Sequence, residues 1–178
     1  MTSFFSVIRT DLLCGVLLVF AAVGCRNVTT PLSHEVDPFI GTGGHGHTYP
    51  GATVPFGMVQ VSPDTRLDGW DGCGGFHITD DVVYGFSHTH LQGTGVSDYG
   101  DILLMPTVGQ MDTGRVWNER YRDRFVQDSQ AAHAGYYRCD LDRSKVSVEL
   151  TASDRVGHHR WTLEKRDTLQ LIVDLAHR

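Results

Sequence analysis

The sequence predicts an all-β fold, an antiparallel β-sandwich, preceded by a signal segment. Three observations predict it. Val146, Val148 and Leu150 alternate with Ser147, Glu149 and Thr151, and period-two alternation implies one buried and one wet face, as in antiparallel sheets. Short apolar runs recur between turns rich in Gly, Pro and Asp, the punctuation of an all-β chain. No segment after residue 24 carries a sustained helical stripe, so packed sheets are the architecture left.

Taken in order, the elements begin with Leu12 to Gly24 (LLCGVLLVFAAVG). This apolar run is shorter than the ~20 residues a spanning helix needs. It ends in small residues before Cys25, which is the pattern of an export signal. Ala22-Val23-Gly24-Cys25 resembles a bacterial lipoprotein signal, with Cys25 lipidated as the first mature residue. An ordinary signal peptide with a chance cysteine is the alternative. Residues 25–35 read as a polar tether, and Val36 opens the folded part (36–178). Gly41 to Pro55 is an ordered loop, because so much Gly and Pro suits no regular element. Met58 to Val61 is expected as a strand ended by Pro63. Arg66 to Gly75 is a second Gly-rich loop, Val82 to Leu91 a strand, Gln92 to Tyr99 a third loop and Ile102 to Thr107 a buried strand. Asp112 to Ala132 is mixed and charged, either a short helix or a long excursion. His133–Leu141, Val146–Ser153, Arg155–Leu163 and Thr168–Leu175 are expected as four consecutive antiparallel strands.

Composition narrows the function. The chain has 178 residues and a net charge of −6, which stays −6 without residues 1–24 because Arg9 and Asp11 cancel. That length suits one domain plus a targeting segment. With no basic stripe, nucleic acid is excluded as a partner. Two of the four cysteines, Cys73 and Cys139, lie beyond the signal. An exported compartment permits a disulfide between them, and two independent thiols are equally compatible with the spacing.

The chemistry-bearing residues cluster in the Gly-rich loops. His45 and His47 stand two apart, as do His88 and His90. On a strand such pairs share a face and would present two imidazoles to a zinc ion, but no third ligand has diagnostic spacing. Hydrogen bonding inside the loops is the favoured reading. Asp64, Asp68, Asp71, Asp80 and Asp81 surround Trp70 and Phe76. Carboxylates beside an aromatic ring suit a sugar, whose hydroxyls take polar partners while its C–H face stacks on the ring. No pair of these carboxylates has a spacing that marks acid and base, and there is no nucleophile elbow, phosphate loop or dinucleotide fingerprint.

The same stretches carry a resemblance. VDPFIGTGGHGHTYPGATVPFGMVQVSPDT (Val36–Thr65), YGFSHTHLQGTGVSDYGDILLMP (Tyr84–Pro106) and GYYRCDLDRSKVSVELTASDRVGHHRWTL (Gly135–Leu163) are similar, in order, to the N-terminal domain of glycoside hydrolase family 92. The resemblance implies a calcium-dependent, inverting exo-α-mannosidase acting on mannose-containing glycans. In it, an N-terminal β-sandwich precedes an (α/α)-barrel, and the active site lies between them. The acid, the base and the calcium ligands are then expected mainly from the barrel, outside this chain. By the same resemblance Asp64, Trp70, Cys73, Gly74, Gly75, His88, His90 and Gly93 are expected near the mannose pocket, with the glycines allowing close backbone approach and Trp70 forming a wall. Three departures stand out: Arg178 falls within a sandwich expected to be unfinished, Val126-Gln127 stands where Ser-His is common, and Ala134 stands where Pro is common. The resulting expectation is an exported lipoprotein of the periplasm or outer surface, inactive alone because it lacks the catalytic domain. The alternatives are a free-standing carbohydrate-binding or scaffold module and a metal-binding periplasmic protein using the histidine pairs.

Overall fold

A computed structural model describes residues 30–109 and 117–177. The signal segment, Cys25, most of the tether and the start of the charged stretch at 110–116 lie outside the described residues. Among those described, no helix is long and apolar enough to cross a membrane.

The described residues form β1 (Ala52–Thr53), β2 (Gln60–Asp64), β3 (Val82–Val83), β4 (Gly85–Ser87), β5 (Leu103–Val108), α1 (Trp117–Tyr121), β6 (Asp123–Arg124), β7 (Ala131–His133), β8 (Tyr136–Asp140), β9 (Val146–Ala152), β10 (Gly157–Leu163) and β11 (Leu169–Asp174). They form a five-stranded sheet in the order β1-β2-β4-β5-β11, a four-stranded sheet in the order β10-β9-β8-β7, and a β3-β6 ribbon. All pairings are antiparallel. The two larger sheets face each other as a sandwich.

The alternation in β9 explains the core. Val146, Val148 and Leu150 are buried, while Thr151 is exposed. Register sets Val148 opposite Cys139 and Leu150 opposite Tyr137, and all four side chains are buried. The facing sheet contributes Ala52, Val61, Phe86, Leu103, Met105 and Ile172. Each large side chain buried there contributes about 1.5–3 kcal/mol. On the wet face, Arg160 grips both carboxylate oxygens of Glu149 at 2.6 Å and the Tyr136 hydroxyl donates to it at 2.8 Å. Those two donors hold the Glu149 carboxyl at about 2.

Several boundaries differ from the sequence expectation. β2 runs through Pro63 to Asp64 rather than ending before it. Its neighbour β1 pairs only with Gln60 and Val61, so the strand beyond is an edge, where proline is tolerated. The expected strand 82–91 divides into β3 and β4, which join different sheets. His133–Leu141 divides into β7 and β8 around a two-residue turn in which Gly135 takes φ +79°. Residues 133–163 do form consecutive antiparallel strands, but β11 leaves them and pairs with β5. The tether end forms a short 3-10 helix, Leu32–His34, and the His34 ring stacks on His133 at 4.0 Å. Cys73 and Cys139 are buried thiols, not a disulfide, and burial pushes the Cys139 thiol pKa up.

His159 sits on the inward face of β10, an edge strand. Its Nε2 lies 3.1 Å from His88 Nε2. The His88 Nδ1 donates to the Ile102 carbonyl at 2.7 Å, so its Nε2 accepts from His159. His159 Nδ1 is then bare, buried and without a hydrogen-bond partner. Burial, with His88 and His158 nearby, lowers the His159 pKa to about 4. A histidine held neutral in this way stabilises fully above its ordinary pKa of 6.5 and loses that contribution as pH falls to about 4. Relative to His159→Phe, the native chain should lose up to about 3 kcal/mol across that window. Urea denaturation of both chains at several pH values checks this, and parallel pH profiles would refute it.

Candidate functional site

Three Gly-rich loops gather beside β2 and touch one another through their backbones. The innermost group is a buried polar cluster. Asp64 ends β2 with no exposed surface, and its Oδ1 lies 3.0 Å from His90 Nε2. Ser87 Oγ lies 3.1 Å from the same nitrogen. His90 Nδ1 lies 2.8 Å from the Gln60 carbonyl, which can only accept. Both ring nitrogens therefore face acceptors, and the geometry suits an imidazolium against a carboxylate. Burial alone would raise the Asp64 carboxyl pKa, but His90 and His177 hold it well below the usual carboxylate range. His177 Nε2 stands 3.5 Å from Asp64 Oδ2, close enough for charge attraction but not a hydrogen bond, so both atoms lack hydrogen-bond partners.

Gly75 shows why this cluster needs a glycine beside it. Its φ is +100°, and a Cβ there would stand 2.2 Å from Asp64 Oδ1 and 3.0 Å from His90 Cδ2. Gly74 packs against the Leu91 carbonyl, 3.0 Å from where its Cβ would be. The Gly93 N–H donates to the His47 carbonyl at 2.8 Å. These contacts tie the three loops to one another.

Trp70 lies at the outer end of this assembly, 57% exposed. His47 meets it edge-on at 4.4 Å between ring centroids and His45 at 5.5 Å. A Cβ on Gly95 would stand 2.7 Å from the Trp70 Nε1. His45 Nδ1 lies 2.8 Å from the Asp71 carboxylate. An exposed indole with a neighbouring carboxylate and imidazoles offers an apolar face with polar groups at its edge, which is what sugar binding requires. A separate cleft of about 590 Å³, whose lining does not include Trp70, is formed in part by Tyr49, Phe56, Gln60, His90, Leu91 and Gln92.

The structure thus brings Asp64, Gly75 and His90 together, ties in Cys73, Gly74 and Gly93 through loop backbone, and sets Trp70 at the rim. His88 points elsewhere, to His159 and the Ile102 carbonyl. Neither histidine pair presents two imidazoles to one point. His45 and His47 lie in a loop, and the chain leaves β4 at Ser87, so the strand alternation that would align His88 with His90 is lost. Among the described residues no group of three or more His, Cys, Asp or Glu side chains is placed to hold a metal. The deepest carboxylate, Asp64, faces imidazole nitrogens, whereas calcium takes six to eight oxygens. These residues do not fit calcium. Sequence reasoning did not find Arg66, Ser87, Gly95 or His177 as site residues. Arg66, Gly95 and His177 meet residues distant in sequence, and Ser87 meets His90 only through the way the chain turns after β4, so no local spacing marks them.

The family model described as the glycosyl hydrolase family 92 N-terminal domain matches residues 35–178. A family GH92 alpha-mannosidase from Bacteroides thetaiotaomicron, also solved in complex with mannoimidazole, is similar at 38% identity and TM-score 0.76, over 82% of this chain and 20% of that one. A GH92 inverting mannosidase from the same organism is similar at 25% identity and TM-score 0.61, over 73% of this chain and 17% of that one. An uncharacterised secreted glycosidase of Arthroderma benhamiae is 34% identical over 126 residues, which are 68% of this chain and 16% of that protein. The chain therefore spans about a fifth or less of the length of these relatives.

Proposed function

Since this chain belongs to glycosyl hydrolase family 92 as an N-terminal domain, we propose that it supplies one wall of the mannose pocket of an exported, calcium-dependent, inverting exo-α-mannosidase and does not hydrolyse mannosides alone. Trp70 carries the reading: its indole is exposed and edged by His45, His47 and Asp71. A hexose would stack its C–H face on the ring and place hydroxyls against the imidazoles and carboxylate. The buried Asp64–His90 pair would hold the loops rather than touch sugar, because neither side chain has more than 1% exposure.

Inversion needs an acid and a base on opposite faces of the sugar, about 6.5–9.5 Å apart. Three carboxylates around the platform are engaged, Asp64 by His90, Asp71 by His45 and Asp80 by Arg66, while Asp68 on the same loop is exposed. The acid, base and calcium are assigned to residues of the barrel domain, outside this chain. Export follows from the apolar run before Cys25 and from the secreted relative, with lipidation of Cys25 as the proposed anchor.

The test is a titration of the purified chain with methyl α-mannoside by NMR, together with an assay for mannose release with calcium. The expected Kd is on the order of millimolar, a free energy of only about −4 kcal/mol. Trp70→Ala should abolish the response, and no mannose should be released. Calcium-dependent turnover by the 178-residue chain would place the acid and base within it and end this reading.

A further inference from the structure

Trp70 stands on the loop Arg66–Gly75, and we infer that Arg66 and Asp80 are the positioning residues that hold this loop in the shape that presents the indole. The inference rests on the reading of Trp70 as a sugar platform. Three observations carry it. The loop is closed at its base, where the backbone N–H groups of Thr65 and Arg66 both donate to the Gly75 carbonyl, at 2.7 and 3.2 Å. The Arg66 guanidinium grips Asp80 from two nitrogens, Nε to Oδ2 at 3.0 Å and Nη2 to Oδ1 at 2.8 Å. Its third nitrogen, Nη1, donates to the Asp71 carbonyl, next to Trp70, at 3.2 Å.

One planar fork thus joins the far side of the loop to a fixed point outside it. Only arginine offers this geometry, because its donors are coplanar and its charge permanent. The anchor is itself braced: Thr65 Oγ1 donates to Asp80 Oδ2 at 2.9 Å and accepts from the His77 N–H at 2.9 Å. The arginine stem fills the underside of the loop, since a Cβ on Gly72 would stand 3.1 Å from Arg66 Cδ. On the other side of Trp70, His45 is 80% exposed where it meets Asp71, and an exposed pair contributes little. Arg66 is the stronger constraint, with its side chain 30% exposed and that of Asp80 18%.

The chain has three tryptophans, so Trp117→Phe with Trp161→Phe leaves Trp70 as the sole reporter. In that background, Arg66→Gln and Asp80→Asn should enlarge the sub-nanosecond part of the Trp70 anisotropy decay about twofold. They should also raise its quenching by acrylamide and weaken mannoside binding. A companion chain with Trp161 as the sole reporter should show no change, which separates local positioning from general loosening. If Arg66→Gln fails to fold, Arg66→Lys serves: it keeps a cation for Asp80 but cannot reach the Asp71 carbonyl as well, and Trp70 should still gain motion. Unchanged Trp70 decay in the folded variants, or equal gains at Trp161, would overturn the inference. Mannoside binding that survives Trp70→Ala would instead overturn the platform reading, while the anisotropy would still decide the positioning role.

Discussion

Gly75→Ala is expected to destabilise the domain by about 4 kcal/mol or more, a large share of the 5–15 kcal/mol that holds a typical fold. Two costs combine. Alanine at φ +100° strains the backbone by about 1–3 kcal/mol. Its Cβ would also stand 2.2 Å from Asp64 Oδ1, so the buried carboxylate must move away from His90. Separating a buried charge pair costs about 3–5 kcal/mol. Gly93→Ala is the control, because Gly93 has φ +76° with nothing within 4 Å of the new Cβ, and it should lose only the backbone share. Urea midpoints by circular dichroism compare the two. Equal losses would mean that the approach of Gly75 to the ion pair carries no weight.

Asp64→Ala should cost a similar amount, about 3–5 kcal/mol, because it leaves the His90 ring facing acceptors with no counter-charge. Asp64→Asn should cost less. A side-chain amide can donate to an unprotonated His90 Nε2, which keeps one hydrogen bond while giving up the charge. The pH dependence separates the mechanisms. The Asp64 carboxyl titrates well below its ordinary value of 3.8 in the fold. Its contribution is therefore present above that value and is lost as pH falls below it. The Asn variant should lack this acid-side decline, and thermal melts between pH 5 and 2 would detect it. A variant that tracks the native chain throughout would show that the Asp64 charge does not stabilise the fold.

Local pattern was readable in the chain alone. Alternation through Val146–Thr151 announced a half-buried strand, because side chains in a strand point to opposite faces in turn, and β9 buries the residues that alternation selects. The glycine clusters marked the loops, and several of those glycines adopt φ values that other residues avoid. Long ordered stretches of family-like sequence pointed to the family itself. Trp70 was legible as a candidate because an indole among carboxylates is conspicuous in the chain, and the fold leaves it exposed.

Which distant residues meet depends on the folded path of the chain. Asp64 reaches His90 across 26 positions, Arg66 reaches Asp80 across 14, and His88 reaches His159 across 71. Periodicity reports the face a side chain takes, not the strand or loop that lies opposite. For the same reason β11 reads as a fourth member of the 133–175 series yet pairs with β5. Its buried residues, Ile172 and Asp174, find their place in the other sheet, where Asp174 accepts from the Tyr121 hydroxyl at 2.7 Å. His88 and His90 part because strand geometry ends at Ser87, and the path of the chain beyond it sends His88 to the facing sheet and His90 to Asp64.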